Sequence, residues 1–397
     1  MSFKLMQYLD HYLGFPLCIL CGILNKLLNL FFKKKIGYIE PQKIIIMKWF
    51  GIGTNIKLVP FYHEIRKKFP RTRIVFFTFH SNKRLIELLG FSDEIRTIRN
   101  NNPLLFLTDT LKHLTNFILE RVDVIIDFEF LSKFSTLFCF VSGASIKIGY
   151  WIPSFWRSSI INFGVKWNSR ESLFRMYREM IKILGINLED NLPFEKIYVS
   201  VNKINNLKYI LERKSWYGEA LVGINVNVSE ILYLRRWPAD YFIYLIENLT
   251  KFLNLKEWKI VLTGSSQEKK YTQEIFLKLS PQAKQYVIDL CGEIDLEELI
   301  ALMDRLKVFI SCDSGPLYLA NIQDIPTISL WGPTSPFQQI VLNSERHIFF
   351  YSYRKCSPCV YEAKPGNLCN YEALCMKDIK PQDVLRILLD LIHIRYD

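Results

Sequence analysis

Residues 307–336 read KVFISCDSGPLYLANIQDIPTISLWGPTSP, and the order of residue types in this stretch decides the fold. KVFISC is a short apolar run suited to a buried strand, Asp313, Ser314 and Gly315 form a polar turn, and a short helix follows Pro316. A second apolar run, PTISLWG at 326–332, completes a strand, helix, strand unit. That connection joins parallel strands, which then need helices on both faces.

The same alternation runs back along the chain. ALVGINVNV (220–228), WKIVLTG (258–264) and YVIDLCG (286–292) precede the opening stretch, with helical periodicity near 239–253, 266–279 and 296–306. Earlier still, KIIIMKW (43–49), RIVFFTF (73–79) and VDVIIDFEF (122–130) alternate with amphipathic segments, in the first of which Pro60 predicts a kink or the effective helix start. The pattern predicts two doubly wound α/β domains, an N-terminal one over 36–195 and a C-terminal one over 206–385, with a tail helix over 386–397. The linker is expected within 190–205, beside Glu189-Asp190-Asn191 and Pro193. Sheets of this kind bind ligands at the carboxyl ends of their strands, so both sets of strand ends are expected around one central cleft.

Composition agrees with two folded domains: of 397 residues, 50% are hydrophobic, 14% aromatic and 23% charged. The net charge of +12 favours partners carrying phosphate or anionic lipid. Its basic residues are dispersed and no nucleic-acid motif accompanies them, so a nucleic-acid partner is not expected. The nine cysteines sit mostly in apolar context and argue against a disulfide-stapled secreted domain.

Residues 1–35 stand apart as a membrane-associating segment. YLGFPLCILCGILNKLLNLFF (12–32) has one charge, Lys26, and Lys33, Lys34 and Lys35 follow at once. A signal peptide is disfavoured by the absence of a small-residue cleavage site and of a basic start. The length suits a span, whereas Pro16, Gly22, Asn25, Lys26 and Asn29 make an interfacial or hairpin attachment the stronger expectation. A helix buried against the protein itself is the third reading.

Three turns at strand ends, and one basic loop, carry candidate chemistry. Gly51-Ile52-Gly53-Thr54 follows KIIIMKW and could present backbone N–H groups to an anion, or be a plain strand-to-helix turn. Thr263-Gly264-Ser265-Ser266-Gln267-Glu268 places Glu268 either as a helix cap or as an acceptor for ribose hydroxyls. In the opening stretch Ser314 is expected to cap a helix whose first residue is Pro316, leaving the N–H groups near Gly315 as a phosphate seat with Asp313 facing a sugar hydroxyl. Gly332-Pro333-Thr334 would close the same side. Arg235, in Arg235-Arg236-Trp237-Pro238, can neutralise a diphosphate, or be one of two solvated arginines. Cys356, Cys359, Cys369 and Cys375 could hold a structural zinc, pair as disulfides, or remain packed thiols.

In this order the pieces resemble glycosyltransferase family 9, the bacterial heptosyltransferases of lipopolysaccharide cores, over roughly residues 42–385. The resemblance implies a GT-B architecture of two Rossmann-like domains and an inverting, metal-independent transfer needing no cofactor. It implies ADP-heptose as the donor and a lipid-linked glycan as the acceptor. It gives Arg235 a phosphate-binding part, Glu268 the ribose contact, and Asp313, Ser314 and Gly315 the sugar and diphosphate. The family's usual base Asp is Thr54 here and its usual His is Tyr318. A threonine cannot take a proton at neutral pH, so Asp127 or Glu129, at the end of VDVIIDFEF, is expected to be the base. The basic run from Arg66 to Arg73 and the N-terminal segment would hold the protein at the cytoplasmic face of a bacterial inner membrane. The alternatives are a catalytically impaired nucleotide-sugar-binding scaffold and a GT-B sugar-nucleotide epimerase.

Overall fold

The computed structural model describes residues 3–31, 40–130, 132–168, 170–188, 195–339, 345–359, 369 and 372–393. Lys33 to Lys35 and the expected linker residues Glu189 to Pro193 lie outside the described residues. The chain forms two compact units, Met1–Pro193 and Phe194–Asp397.

The first unit has six strands: β1 (Lys43–Met47), β2 (Arg73–Phe79), β3 (Glu94–Ile98), β4 (Val124–Asp127), β5 (Ile146–Trp151) and β6 (Phe163–Lys166). They lie in the order β3-β2-β1-β4-β5-β6, and every neighbouring pair is parallel. Its helices are α1 (Phe3–Tyr12), α2 (Gly14–Phe31), α3 (Ile52–Lys57), α4 (Val59–Lys68), α5 (Lys83–Leu89), α6 (Pro103–Leu119), α7 (Lys133–Val141), α8 (Phe155–Ser158) and α9 (Leu173–Lys182). Alternate residues of β1 and β2 face opposite cores. Ile44, Ile46, Ile74 and Phe76 pack with α4 and α9, and Ile45, Met47, Val75 and Phe77 pack with Phe117 of α6 and Phe138 of α7. The helix after β1 is broken at Leu58, with Pro60 in the first turn of α4, where its missing N–H has no helical partner to lose.

The N-terminal pair α1 and α2 is laid against α7 and α8. Gly14, Cys18 and Gly22 are buried and Asn25 half-buried, a seam at helical spacing. A Cβ on Gly22 would stand 2.1 Å from the Ser159 hydroxyl, so the contact requires glycine. Asn25 donates to the Ser159 carbonyl at 2.7 Å, and Asp10 accepts from the Phe134 N–H at 2.8 Å at the start of α7.

The second unit has β7 (Ala220–Asn225), β8 (Trp258–Leu262), β9 (Val287–Asp289), β10 (Leu306–Cys312), β11 (Thr327–Trp331) and β12 (His347–Tyr351). Their order is β12-β11-β10-β7-β8-β9, again all parallel. The helices are α10 (Val201–Arg213), α11 (Ala239–Leu249), α12 (Lys269–Lys278), α13 (Pro281–Lys284), α14 (Leu296–Met303), α15 (Gly315–Ile322), α16 (Pro336–Gln339), α17 (Leu374–Asp378) and α18 (Pro381–Leu391). Two expected boundaries move. Ile197 exchanges hydrogen bonds with the Gln323 side chain and α10 packs on α14, so this unit begins before residue 206. Leu385, Leu388 and Leu389 lie in the main core, so the expected tail helix over 386–397 is instead the end of a core helix.

Candidate functional site

In the second sheet the strand order reverses between β7 and β10, and the crevice beyond such a reversal is where doubly wound sheets bind ligands. Arg235, Asp313, Ser314 and Gly315 meet there. Arg235 Nη1 donates to Asp313 Oδ2 at 3.0 Å, and Tyr318 Oη donates to Asp313 Oδ1 at 2.6 Å. Both carboxylate oxygens are therefore held, and the charge of Asp313 is balanced inside the protein. The arginine loop is fixed from below by Trp237, fully buried, whose Nε1 donates to the Ile379 carbonyl at 3.0 Å. Beside it the Arg236 guanidinium lies over the Tyr271 ring at 4.0 Å.

Ser314 is the residue before α15, but its hydroxyl does not cap the helix as expected. It lies 2.7 Å from Ser311 Oγ and accepts from Asn225 Nδ2 at 3.0 Å, and makes no capping bond to α15. The helix begins at Gly315, with Pro316 following it, and its first-turn N–H groups form its positive end.

Gly264 lets two chains meet behind this crevice. A Cβ there would stand 2.5 Å from Asn227 Nδ2 and 2.6 Å from Cys291 Sγ. Asn227 in turn donates to the Thr263 carbonyl at 3.1 Å and to Thr272 Oγ1 at 2.8 Å. The hydrogen bonds of Glu268 to Ser265 N and Oγ, each 2.8 Å, both fall on Oε2 and form a capping box. The cap is thus one part Glu268 plays in this structure.

Several buried polar atoms along this edge have no hydrogen-bond partner among the described residues: Asn227 Oδ1, Thr263 Oγ1, Thr334 Oγ1, and Nε of Arg235 and Arg236. Each such atom is held at a penalty of about 1–3 kcal/mol, which a ligand rich in hydroxyl and phosphate oxygens would relieve.

The first sheet reverses its order between β1 and β4, and Glu129 and Asp127 sit there. Asp127 is wholly buried, accepts from Ser135 Oγ at 2.7 Å and pairs with Arg157 Nη2 at 3.2 Å. Burial pushes its carboxyl above the usual range, against the pull of Arg157. Glu129 accepts from Lys48 Nζ at 3.0 Å and Phe130 N at 3.1 Å on one oxygen, and from Trp49 N at 2.8 Å and Phe50 N at 3.2 Å on the other. A carboxylate has about four lone-pair positions, and here all four are taken. Of the two residues expected to supply the base, Asp127 is out of reach of solvent and Glu129 braces the turn at residues 48–50. Arg157, which binds Asp127, carried no sequence signal. Thr54 donates its hydroxyl to the Phe50 carbonyl at 2.7 Å and the Gly51 carbonyl at 2.9 Å, while Gly53 is buried in α3. Gly51, at φ 85°, adopts a conformation open to glycine.

The cysteines expected to hold zinc form no disulfide, and among the described residues no group of three or more His, Cys, Asp or Glu side chains is arranged to hold a metal ion. Burial, with Cys359, Cys369 and Cys356 near enough to add to it, pushes the Cys375 thiol up to about 11.

Residues 214–368, which include every candidate of the second unit, match glycosyltransferase family 9 (heptosyltransferase). Among curated proteins the chain is similar to lipooligosaccharide heptosyltransferase 2 of Campylobacter jejuni, 26% identical over 168 residues, 42% of this chain and 50% of that protein. The chain thus spans about half the length of the curated relative it matches. Among solved structures it is similar to a family 9 glycosyl transferase from Veillonella parvula, at 18% identity and a TM-score of 0.70, covering 89% of this chain and 97% of that one. It is also similar to the Escherichia coli ADP-heptose lps heptosyltransferase II, at 19% identity and a TM-score of 0.68, covering 88% and 98%. At such identities the structural likeness speaks for the fold, two Rossmann-like units of GT-B type, while the match over residues 214–368 ties that stretch of the sequence to glycosyltransferase family 9.

Proposed function

We propose that the protein transfers a heptose, or a closely related sugar, from an ADP-activated donor to a lipopolysaccharide-type or other lipid-linked glycan acceptor. The reaction would be inverting, would use no metal, and would take place at the cytoplasmic face of a bacterial inner membrane. The observation that carries this reading is the arrangement at the β7/β10 reversal, where the N-terminus of α15, free of a Ser314 side-chain cap, stands beside the pair Arg235 and Asp313.

Each part has a task in such a transfer. A leaving diphosphate gains negative charge as the bond to the sugar breaks, and the N–H groups of Gly315 and its neighbours stabilise that charge without reorganising. Arg235 is already oriented by Asp313, so little side-chain entropy is lost when phosphate arrives. Glu268 stays as the ribose contact, its capping bonds both resting on Oε2.

The test is thermal stabilisation by ADP, UDP and GDP, followed by transfer from ADP-heptose to a lipid-linked glycan acceptor. ADP is expected to raise the melting temperature more than the other two, and Arg235→Ala to abolish the shift. Stabilisation by UDP or GDP alone, or by none of the three, overturns the donor assignment.

A further inference from the structure

The outer surface of the first unit carries apolar side chains that no core explains. Along α2 the seam Gly14, Cys18, Gly22, Asn25 faces the protein, while Phe15, Leu17, Leu20, Ile23, Leu24 and Leu27 are each 42–54% exposed. The stretch from Tyr8 in α1 to Leu28 in α2 is long and apolar enough to cross a membrane, with 17% of its most apolar window buried. Independently, α6 exposes Leu104, Leu107, Leu111 and Ile118 at 53–69%, on one stripe at helical spacing. Both helices pack on α7, so both stripes belong to the same layer of the unit. Soluble proteins rarely leave this much apolar surface in water.

We propose that the outer faces of α2 and α6 together form a docking surface for an anionic lipid bilayer, with α2 lying in the interface rather than crossing it. Two observations select this occupant. The charge beside this face is positive: Lys26 lies 4.8 Å from the Phe155 ring centre, and in sequence Lys33, Lys34 and Lys35 come just after the end of α2. That arrangement fits apolar side chains among acyl chains with lysines at the head groups. The docked seam also rules against crossing. Along its length α2 is tied to polar groups of the domain, by Asn25 to the Ser159 carbonyl and to Lys147 Nζ at 3.3 Å, and by Cys18 to the Lys133 carbonyl at 3.5 Å. A spanning α2 would draw these groups into the hydrocarbon or forfeit their bonds.

The inference rests on the membrane-surface part of the proposed function and can fail separately from sugar transfer. The experiment is flotation of the full chain with vesicles of phosphatidylglycerol in phosphatidylcholine and with phosphatidylcholine alone, at low and high salt. Stronger binding to the anionic vesicles, weakened by salt and reversed by alkaline carbonate, is expected. The triple variant L20E/L24E/L27E should lower binding about tenfold or more, and L107E/L111E severalfold. These side chains already face water in the free protein, so unchanged melting temperatures separate lost binding from lost folding. Three outcomes overturn the proposal: carbonate-resistant binding with protease access from both sides of the vesicle, which means a span; an unaltered L107E/L111E; or lipid-free dimers that the same variants dissolve, which means a second copy covers the face. Failure of vesicle binding with transfer to a soluble acceptor intact would sink this surface and leave the glycosyltransferase reading standing.

Discussion

Arg235 and Asp313, 78 positions apart in sequence, form an ion pair at 3.0 Å with side chains 13% and 5% exposed. Asp313 is held on its other side by Tyr318 at 2.6 Å, so the three residues fix one carboxylate in a nearly dry crevice.

Removing one partner of such a pair leaves the other charge buried and unbalanced. Arg235→Ala is expected to lose about 3 kcal/mol of stability and to lose ADP stabilisation. Tyr318→Phe should lose about 1 kcal/mol and weaken nucleotide binding less. Urea unfolding with and without ADP measures both quantities; an Arg235→Ala protein as stable as the parent would contradict the pairing.

Asp127→Asn discriminates a structural carboxylate from a catalytic one. Its pair with Arg157 is wholly buried, so the expected result is a loss of about 3 kcal/mol in unfolding free energy. If the variant instead melts like the parent while turnover disappears, Asp127 is the base after all.

Gly264→Ala should be destabilising by about 1–3 kcal/mol, since its methyl would press on Asn227 and Cys291. Because Asn227 lies at the candidate site, the ADP-induced rise in melting temperature should shrink as well. Gly90→Ala is the control, a glycine at φ 63° with open space around it, which should show backbone strain without loss of ADP binding.

The acid limb of stability has a named contributor in the first unit. Hydrogen bonding by Arg99 holds the Asp109 carboxyl down at about 2, from an ordinary 3.8. A lowered carboxyl stabilises the fold above its unfolded value and ceases to do so as pH falls from 3.8 towards about 2. Melting temperature followed across that window should fall less steeply in Asp109→Asn, and added salt should narrow the difference, because Arg99 is 45% exposed.

The central strands of both sheets were legible because they are buried on both sides and read as unbroken apolar runs, as in Lys43–Met47 and Leu306–Cys312. The outer strands were not. Phe163–Lys166 alternates half-buried with exposed residues over four positions, and Glu94–Ile98 includes Arg96, a charge drawn inward by Glu94 and Glu120. At the candidate site, sequence placed Arg235, Asp313 and Ser314 on neighbouring strand ends, and they meet. It could not show that Ser314 turns to Ser311 or that Tyr318 bonds Asp313, since these depend on side-chain direction. The burial of Asp127 was hidden for the same reason: its partner Arg157 reaches it from a four-residue helix thirty positions away.

The two strand orders share a further property. Counted from the first strand of each unit, β3-β2-β1-β4-β5-β6 and β9-β8-β7-β10-β11-β12 are the same winding. The backbone therefore makes equivalent crevices twice, and side chains alone make them unequal. In one, Asp127 and Glu129 are saturated by Arg157, Lys48 and backbone N–H groups, and the crevice is sealed from within. In the other, Asp313 is held by Arg235 and Tyr318 beside the start of α15. One scaffold, used twice, is thus differentiated by a handful of hydrogen bonds.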